Sequence, residues 1–234
     1  MTRGLFDLSL SAMPRKQRKT RSQSAPPAPT HWSAGLESVR GPRGAALIGM
    51  MAALLAVLSW VSLPLPFTPV PLTLQTLGVL LTGALLGPRY GVLATAVYLS
   101  LGFVGVPVFH GGTGGPGILF GPTGGFLWGF LPAAFIAGWF ARSATKGRSA
   151  QQGPWGVRGI IVMATGLALA SVAIYLVGLP WLSAVTGLGA RETLVVGLLP
   201  YLPGDLLKAI AAFLLIRSLQ PVMTPARVSA SIGG

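Results

Sequence analysis

The chain contains no cysteine and only four acidic residues among 234. Without cysteine there is no disulfide, no thiolate zinc site, no iron–sulfur cluster and no cysteine nucleophile. Its two histidines, His31 and His110, stand far apart in sequence and make no metal site between them. Charged residues amount to 9%, where an ordinary soluble domain carries about 25%. A water-soluble fold needs charge to keep its surface wet, so this composition argues against one. The phosphate-loop pattern G-x-x-x-x-G-K-[ST] is absent, as are H-E-x-x-H and G-x-S-x-G. After residue 43 the acidic residues are Glu192 and Asp205, so a carboxylate dyad has no partners to form it. An intramembrane enzyme is therefore a weak alternative, and the chain is read as a non-enzyme.

What the chain does have is 52% apolar residues, a mean hydropathy of +0.69 and a net charge of +13. The placement of the charge says more than its sum. Residues 1–43 hold eight of the 17 basic residues, from Arg3 to Arg43, around a Pro/Ser/Thr-rich run from Ser22 to Thr30. That segment lacks sustained apolar periodicity. It reads as a disordered cytoplasmic arm lying near anionic lipid, not as a signal peptide or a nucleic-acid module.

From Gly44 onward, apolar blocks alternate with short Gly/Pro-rich or basic breaks. Six blocks are candidate spans, at about 44–63, 72–87, 90–107, 125–141, 159–180 and 200–219. With the N-terminus inside, fifteen basic residues fall on the inner side, the 1–43 arm included, and Arg191 alone falls outside. The expectation is an all-α integral membrane protein with six transmembrane helices, N-in/C-in topology and Gly/Pro-rich outer loops. The membrane domain would span 44–220, followed by a cytoplasmic tail at 221–234. Trp128, Trp139, Trp155 and Trp181 sit near span ends, where aromatic belts form.

The expected outer segments are unusual. Pro64 to Pro71 has four prolines in eight residues and should be stiff and extended. Gly111 to Gly125 places eight glycines in fifteen residues, interleaved with Ile118, Leu119 and Phe120. It reads as a flexible loop or as a packed cap whose backbone N–H groups form a donor-rich nest. Farther on, Asp205 and Lys208 stand three apart at the start of an apolar block, sharing one helix face. An ionisable pair at membrane depth is a functional hypothesis by default. The plainer reading makes Asp205 a helix cap and Lys208 its partner, and the two readings can coexist. Thr73, Gln75 and Thr76 open the second block, and Tyr98 lies midway along the third. In the first block, Ala52 and Ala56 are small residues four apart, suited to close helix packing within the bundle or against a partner.

Several motifs in one order resemble the BioY family, the biotin-specific substrate-binding (S) components of energy-coupling-factor (ECF) vitamin transporters. They are Pro69-Val-Pro-Leu-Thr-Leu-Gln-Thr76, Gly83-Ala-Leu-Leu-Gly87, Tyr98-Leu-Ser-Leu-Gly102, Val106-Pro-Val-Phe109, the two glycine motifs within 111–125, and Pro203-Gly-Asp-Leu-Leu-Lys208. The resemblance covers about residues 44–220. His110 stands where the family pattern is small, and Phe126 where it has Tyr.

The resemblance implies a six-helix protein of the bacterial cytoplasmic membrane. It would bind biotin in an outward-facing pocket capped by the loop between the first two helices. The family's ligand-contacting Asp and Lys match Asp205 and Lys208. Biotin offers two ureido N–H donors, a carbonyl, a thiophane ring and a carboxylate. Asp205 can accept a ureido N–H, Lys208 can keep it ionised, and Gln75, Gly111, Gly112 and Thr123 can meet other polar edges. Tyr98 and Phe109 can pack on the rings. Ala52 and Ala56 match a docking surface for a transmembrane coupling protein bound to two ATPases. Biotin is then ligand rather than cofactor, and ATP is spent by the partners. A solitary small-solute permease is the remaining alternative.

Overall fold

Proline and glycine punctuate the apolar blocks, and the helices begin and end at them. The computed structural model describes residues 42–145 and 156–223, with all their side chains except those of 43 and 220–223. The basic arm up to Arg40, the residues Lys146, Arg148 and Trp155, and the tail carrying Arg227 lie outside the described residues.

Helix α1 runs Pro42–Trp60. It leads into a two-stranded antiparallel ribbon, β1 (Ser62–Leu63) with β2 (Leu72–Thr73), in which Ser62 faces Thr73. The proline-rich segment 64–71 is thus held as a closed loop. Helix α2 (Gln75–Leu86) stops at Gly87, whose φ of 80° only glycine adopts freely, and α3 (Pro88–Phe103) starts at once with proline at its first position. A 3-10 turn at His110–Gly112 and the short helix α4 (Pro116–Phe120) follow. The long helices are α5 (Gly124–Thr145) and α6 (Val157–Thr186). Helix α7 (Ala190–Gly197) and helix α8 (Leu202–Met223) complete the described chain.

Helix α5 is the centre of the bundle. It packs most extensively on α6 and also meets α2 and α3. Leu127, Phe130, Ala133, Ala134, Ala137 and Ala141 recur every three or four residues and are all buried. Small side chains on that face let neighbouring backbones come close. The tightest approach joins α2, α3 and α5. A Cβ on Gly83 would lie 2.3 Å from the Ala134 carbonyl oxygen, and one on Gly138 would lie 2.4 Å from the Pro88 nitrogen. The outward faces are apolar instead of charged: Leu169, Val172 and Leu176 on α6 and Leu206, Leu207 and Leu214 on α8 are all exposed. Such a surface suits lipid.

Three sequence expectations change. The third block ends at Phe103 instead of 107, and the fifth extends past 180 to Thr186. Helix α6 continues through Pro180 because, away from water, an unwound turn would leave peptide groups unpaired. The segment 181–199, left between the fifth and sixth blocks, is mostly helical, holding the end of α6 and all of α7. By length and composition, α5 and α6 are candidate membrane spans. The pair α7 and α8, bent by 51° at its break, makes a third if taken as one span. Helices α1 and α2 contribute shorter apolar stretches, Gly44–Trp60 and Gln75–Leu86.

Gly83→Ala should therefore cost about 1–3 kcal/mol through overpacking. Thermal melting in detergent should show Gly83→Ala and Gly138→Ala well below the parent. Gly49→Ala, where an added Cβ meets nothing within 4 Å, should melt close to it.

Candidate functional site

One end of the bundle encloses a pocket with about 580 Å³ of unfilled space, part of it open to solvent. Its walls come from distant parts of the chain. The proline loop supplies Val70 and Pro71, and the start of α2 supplies Thr73, Gln75 and Thr76. Thr123, Phe126 and Phe130 come from the start of α5, Tyr175 from α6, and Tyr201, Asp205 and Lys208 from the start of α8. His110 of the 3-10 turn and the apolar Leu127 and Ile174 also line it, beside Gly197.

Asp205 is the focus of the first polar cluster. Its own N–H donates to the Tyr201 carbonyl at 2.8 Å, so it stands inside the first turn of α8 and is not the helix cap. The carboxylate turns sideways: Oδ1 accepts from Lys208 Nζ at 2.8 Å, and Oδ2 accepts from the Tyr175 hydroxyl. The side chains of Lys208 and Asp205 are only 8% and 11% exposed. An ionised carboxylate so withdrawn from water is tolerated because both oxygens are satisfied. Tyr201 ties this cluster to the proline loop, its hydroxyl donating to the Val70 carbonyl and lying 3.3 Å from Thr68 Oγ1.

Gln75 organises the second cluster. Thr73 Oγ1 donates to Gln75 Oε1 at 3.0 Å, and Gln75 Nε2 donates to the Tyr98 hydroxyl at 2.6 Å. Tyr98 in turn meets Phe109 edge to face, with centroids 5.5 Å apart. The last turn of α1 fixes the chain just before His110: Ser59 donates to the Val108 carbonyl at 2.5 Å, and Trp60 Nε1 to the Pro107 carbonyl at 3.0 Å. The His110 ring is half-buried, has no hydrogen-bond partner among the described residues, and burial holds its pKa below the usual histidine value.

The residues singled out from sequence separate into three groups. Asp205, Lys208, Gln75 and Thr123 all line the pocket. Tyr98 and Phe109 are fully buried behind it, supporting Gln75 instead of facing the cavity. Gly111 and Gly112 adopt left-handed φ values of 64° and 70° and are exposed, but they are not part of the lining. The turn consumes its own donors: Gly112 N–H bonds to the Phe109 carbonyl at 3.1 Å and Thr113 N–H to that of His110 at 3.3 Å. No donor nest opens there toward the pocket. Ala52, 3% exposed, belongs to the core, and Ala56 packs against that core; the small residues on the exposed side of α1 are Ala45, Ala46, Gly49 and Ala53.

Trp181 is no free belt residue, since its Nε1 donates to the Gly121 carbonyl at 3.0 Å and its Cβ packs on Gly125. Sequence reasoning missed Tyr175 and Tyr201. The available signal for Tyr175 was a lone aromatic hydroxyl midway along an otherwise apolar block.

Apolar helices packed around a pocket with an internal ion pair define a helical membrane protein with a polar internal site. The family model described as "BioY family" matches residues 29–225. A protein named biotin transporter BioY from Rhodobacter capsulatus is 40% identical over 183 residues, covering 76% of this chain and 93% of that protein. The protein of the same name from Lactococcus lactis subsp. cremoris is 33% identical over 171 residues, covering 73% and 86%. Among solved structures, the S-component for biotin from an ECF-type ABC transporter superposes with a TM-score of 0.65 at 30% identity, covering 75% of this chain and 89% of that one. The chain belongs to the BioY family.

Removing one member of the Asp205–Lys208 pair should destabilise more than removing the pair's charge altogether, by the logic of buried ion pairs. Lys208→Met alone should lower the melting temperature in detergent, at a cost of about 3–5 kcal/mol. Asp205→Asn/Lys208→Met should recover much of that loss.

Proposed function

We propose that this chain captures biotin in the pocket between the proline loop and helices α2, α5, α6 and α8, and delivers it across the membrane as the S component of an ECF transporter. The observation that carries the reading is the Asp205–Lys208–Tyr175 cluster lining a pocket, in a chain of the BioY family. Buried ionisable groups inside a membrane bundle are expensive, so their placement on a cavity wall points to a ligand.

Asp205 is the acceptor suited to a ureido N–H, because a charge-assisted hydrogen bond is roughly twice as strong as a neutral one. Lys208 and Tyr175 hold that carboxylate aimed. Gln75 and Thr123 serve other polar edges, while Phe126 and Phe130 provide apolar walls for the ring system. Tyr98 and Phe109 act from behind, by fixing Gln75.

The energy for transport comes from partners, a transmembrane coupling protein and two ATPase subunits, and the chain itself has no phosphate loop of the G-x-x-x-x-G-K-[ST] kind. The exposed side of α1, with Ala46, Gly49 and Ala53, is better placed to meet a partner helix than Ala52 and Ala56. The cell membrane of a bacterium, six spans with both termini inside, and a division into the arm 1–43, the membrane domain 44–220 and the tail 221–234 complete the proposal.

Calorimetric titration of the purified chain with biotin tests the reading directly, and absence of binding would end it. Asp205→Asn should weaken binding by about tenfold or more, since losing a hydrogen bond to a charged group costs about 1.5–3 kcal/mol. The chain lacks native cysteine, so topology can be read by single-cysteine labelling. Phe67→Cys should react with a membrane-impermeant maleimide in intact cells. Ser143→Cys should react only after permeabilisation, and the reverse pattern would invert the topology.

A further inference from the structure

We propose that His110 is the specificity residue for the ligand's carboxylate, and that it makes biotin binding pH-dependent. The inference rests on the reading of the pocket as a biotin site and assigns a role to a residue which that reading leaves unused.

The argument starts from the donors the pocket can offer an anion. Among the described lining residues the cationic or titratable nitrogen groups are Lys208 and His110. Lys208 is already bonded to Asp205 at 2.8 Å, and that pair is neutral in sum. A ligand carboxylate brought to Lys208 would lie beside the Asp205 carboxylate and be repelled by it. Asp205 also accepts from Tyr175, so this wall is acceptor-rich and suits a ligand N–H donor better than a second carboxylate. His110 stands on a different element, a 3-10 turn packed against α1, and its ring has no hydrogen-bond partner among the described residues. It is a half-buried ring on a pocket wall whose nitrogens bond to no described protein group and are open to a ligand.

The surroundings set the sign of the pH effect. The ionisable side chains sharing the pocket are Asp205 and Lys208, which cancel, together with Tyr175 and Tyr201. On α1, against which the turn packs, the sole ionisable residue is Arg43, at the opposite end of the helix from Ser59 and Trp60. Tyr98 lies behind Phe109 and is bonded to Gln75. Burial lowers the His110 pKa, so the ring of the empty pocket is neutral at neutral pH. A bound carboxylate favours the imidazolium and raises that pKa. Binding of biotin therefore takes up protons. Affinity rises as pH falls through the pKa of the complex and levels off below that of the empty pocket.

The test compares biotin with its primary amide, by calorimetry on the full chain, from about pH 8 down to about pH 5.5, the range in which histidine titrates. The wild-type chain should bind biotin several-fold more tightly at the low end, with proton uptake visible as a dependence of the heat on buffer ionisation enthalpy. Its preference for biotin over the amide should widen in parallel. His110→Asn should flatten the pH profile and bring the two ligands within about twofold of each other, a fold-change of roughly 0.4 kcal/mol. Equal pH profiles in wild type and His110→Asn, or undiminished preference for the acid in the variant, would overturn the proposal while leaving the biotin site standing. Failure of the wild-type chain to bind biotin at all would remove both. If His110→Asn does not fold, the proton uptake of the wild-type chain decides alone, and its absence refutes the role of His110.

Discussion

A carboxylate withdrawn from water among apolar helices has to be paired, and the architecture around Asp205 follows from that requirement. Lys208 comes from the same helix face one turn on, which local geometry supplies without help from the fold. The Tyr175 hydroxyl comes from α6, thirty residues earlier, and can reach Asp205 only if α6 and α8 are packed side by side. The cluster therefore reports on the assembly of the bundle as well as on the ligand. Were the two helices to separate, an oxygen of Asp205 would lose its donor in a setting that offers little water to replace it.

The helices can meet at the required distance because the contact faces are built from alanine and glycine. Around Gly83 and Gly138 the backbones of α2, α3 and α5 touch with no room for a methyl group. That closeness places the start of α2, with Thr73, Gln75 and Thr76, beside the start of α5, with Thr123 and Phe126. Two polar walls then face one cavity without a polar residue having to cross the core. The Tyr98–Gln75 bond and the Tyr98–Phe109 ring contact show how the second wall is buttressed from behind.

The legible part of this design was whatever local spacing encodes. Asp205 and Lys208 stand three apart, and rare charges in apolar blocks draw notice, so the pair was recognisable before any coordinates. The end of the second block near Gly87 was also legible, while the third helix starts at Pro88, two residues before the block expected at about 90. Tyr175 was not, because a tyrosine in a 30-residue apolar helix has no partner in its own neighbourhood; its meaning depends on a contact across the bundle. Tyr98 and Phe109 are buried behind the lining, a placement that sequence does not show, since it reveals an aromatic residue without showing which side of a wall it takes. Ala52 shows the same limit: small residues four apart suit a close contact, and the coordinates turn that contact inward to the core. Helix α7 escaped because its eight residues follow a glycine-rich break and carry both Arg191 and Glu192, a composition that reads as loop.

The helices differ greatly in length, and this has a consequence for the surrounding lipid. At 1.5 Å per residue, α6 is about 45 Å long, α5 about 33 Å and α2 about 18 Å, against a hydrocarbon layer of about 30 Å. No single bilayer thickness fits all three. Helix α6 must lean or carry several residues beyond the acyl chains, while the 12-residue α2, buried over most of its surface, meets little lipid. Its excess length makes α6 the helix whose tilt has to adjust to the thickness of the surrounding bilayer.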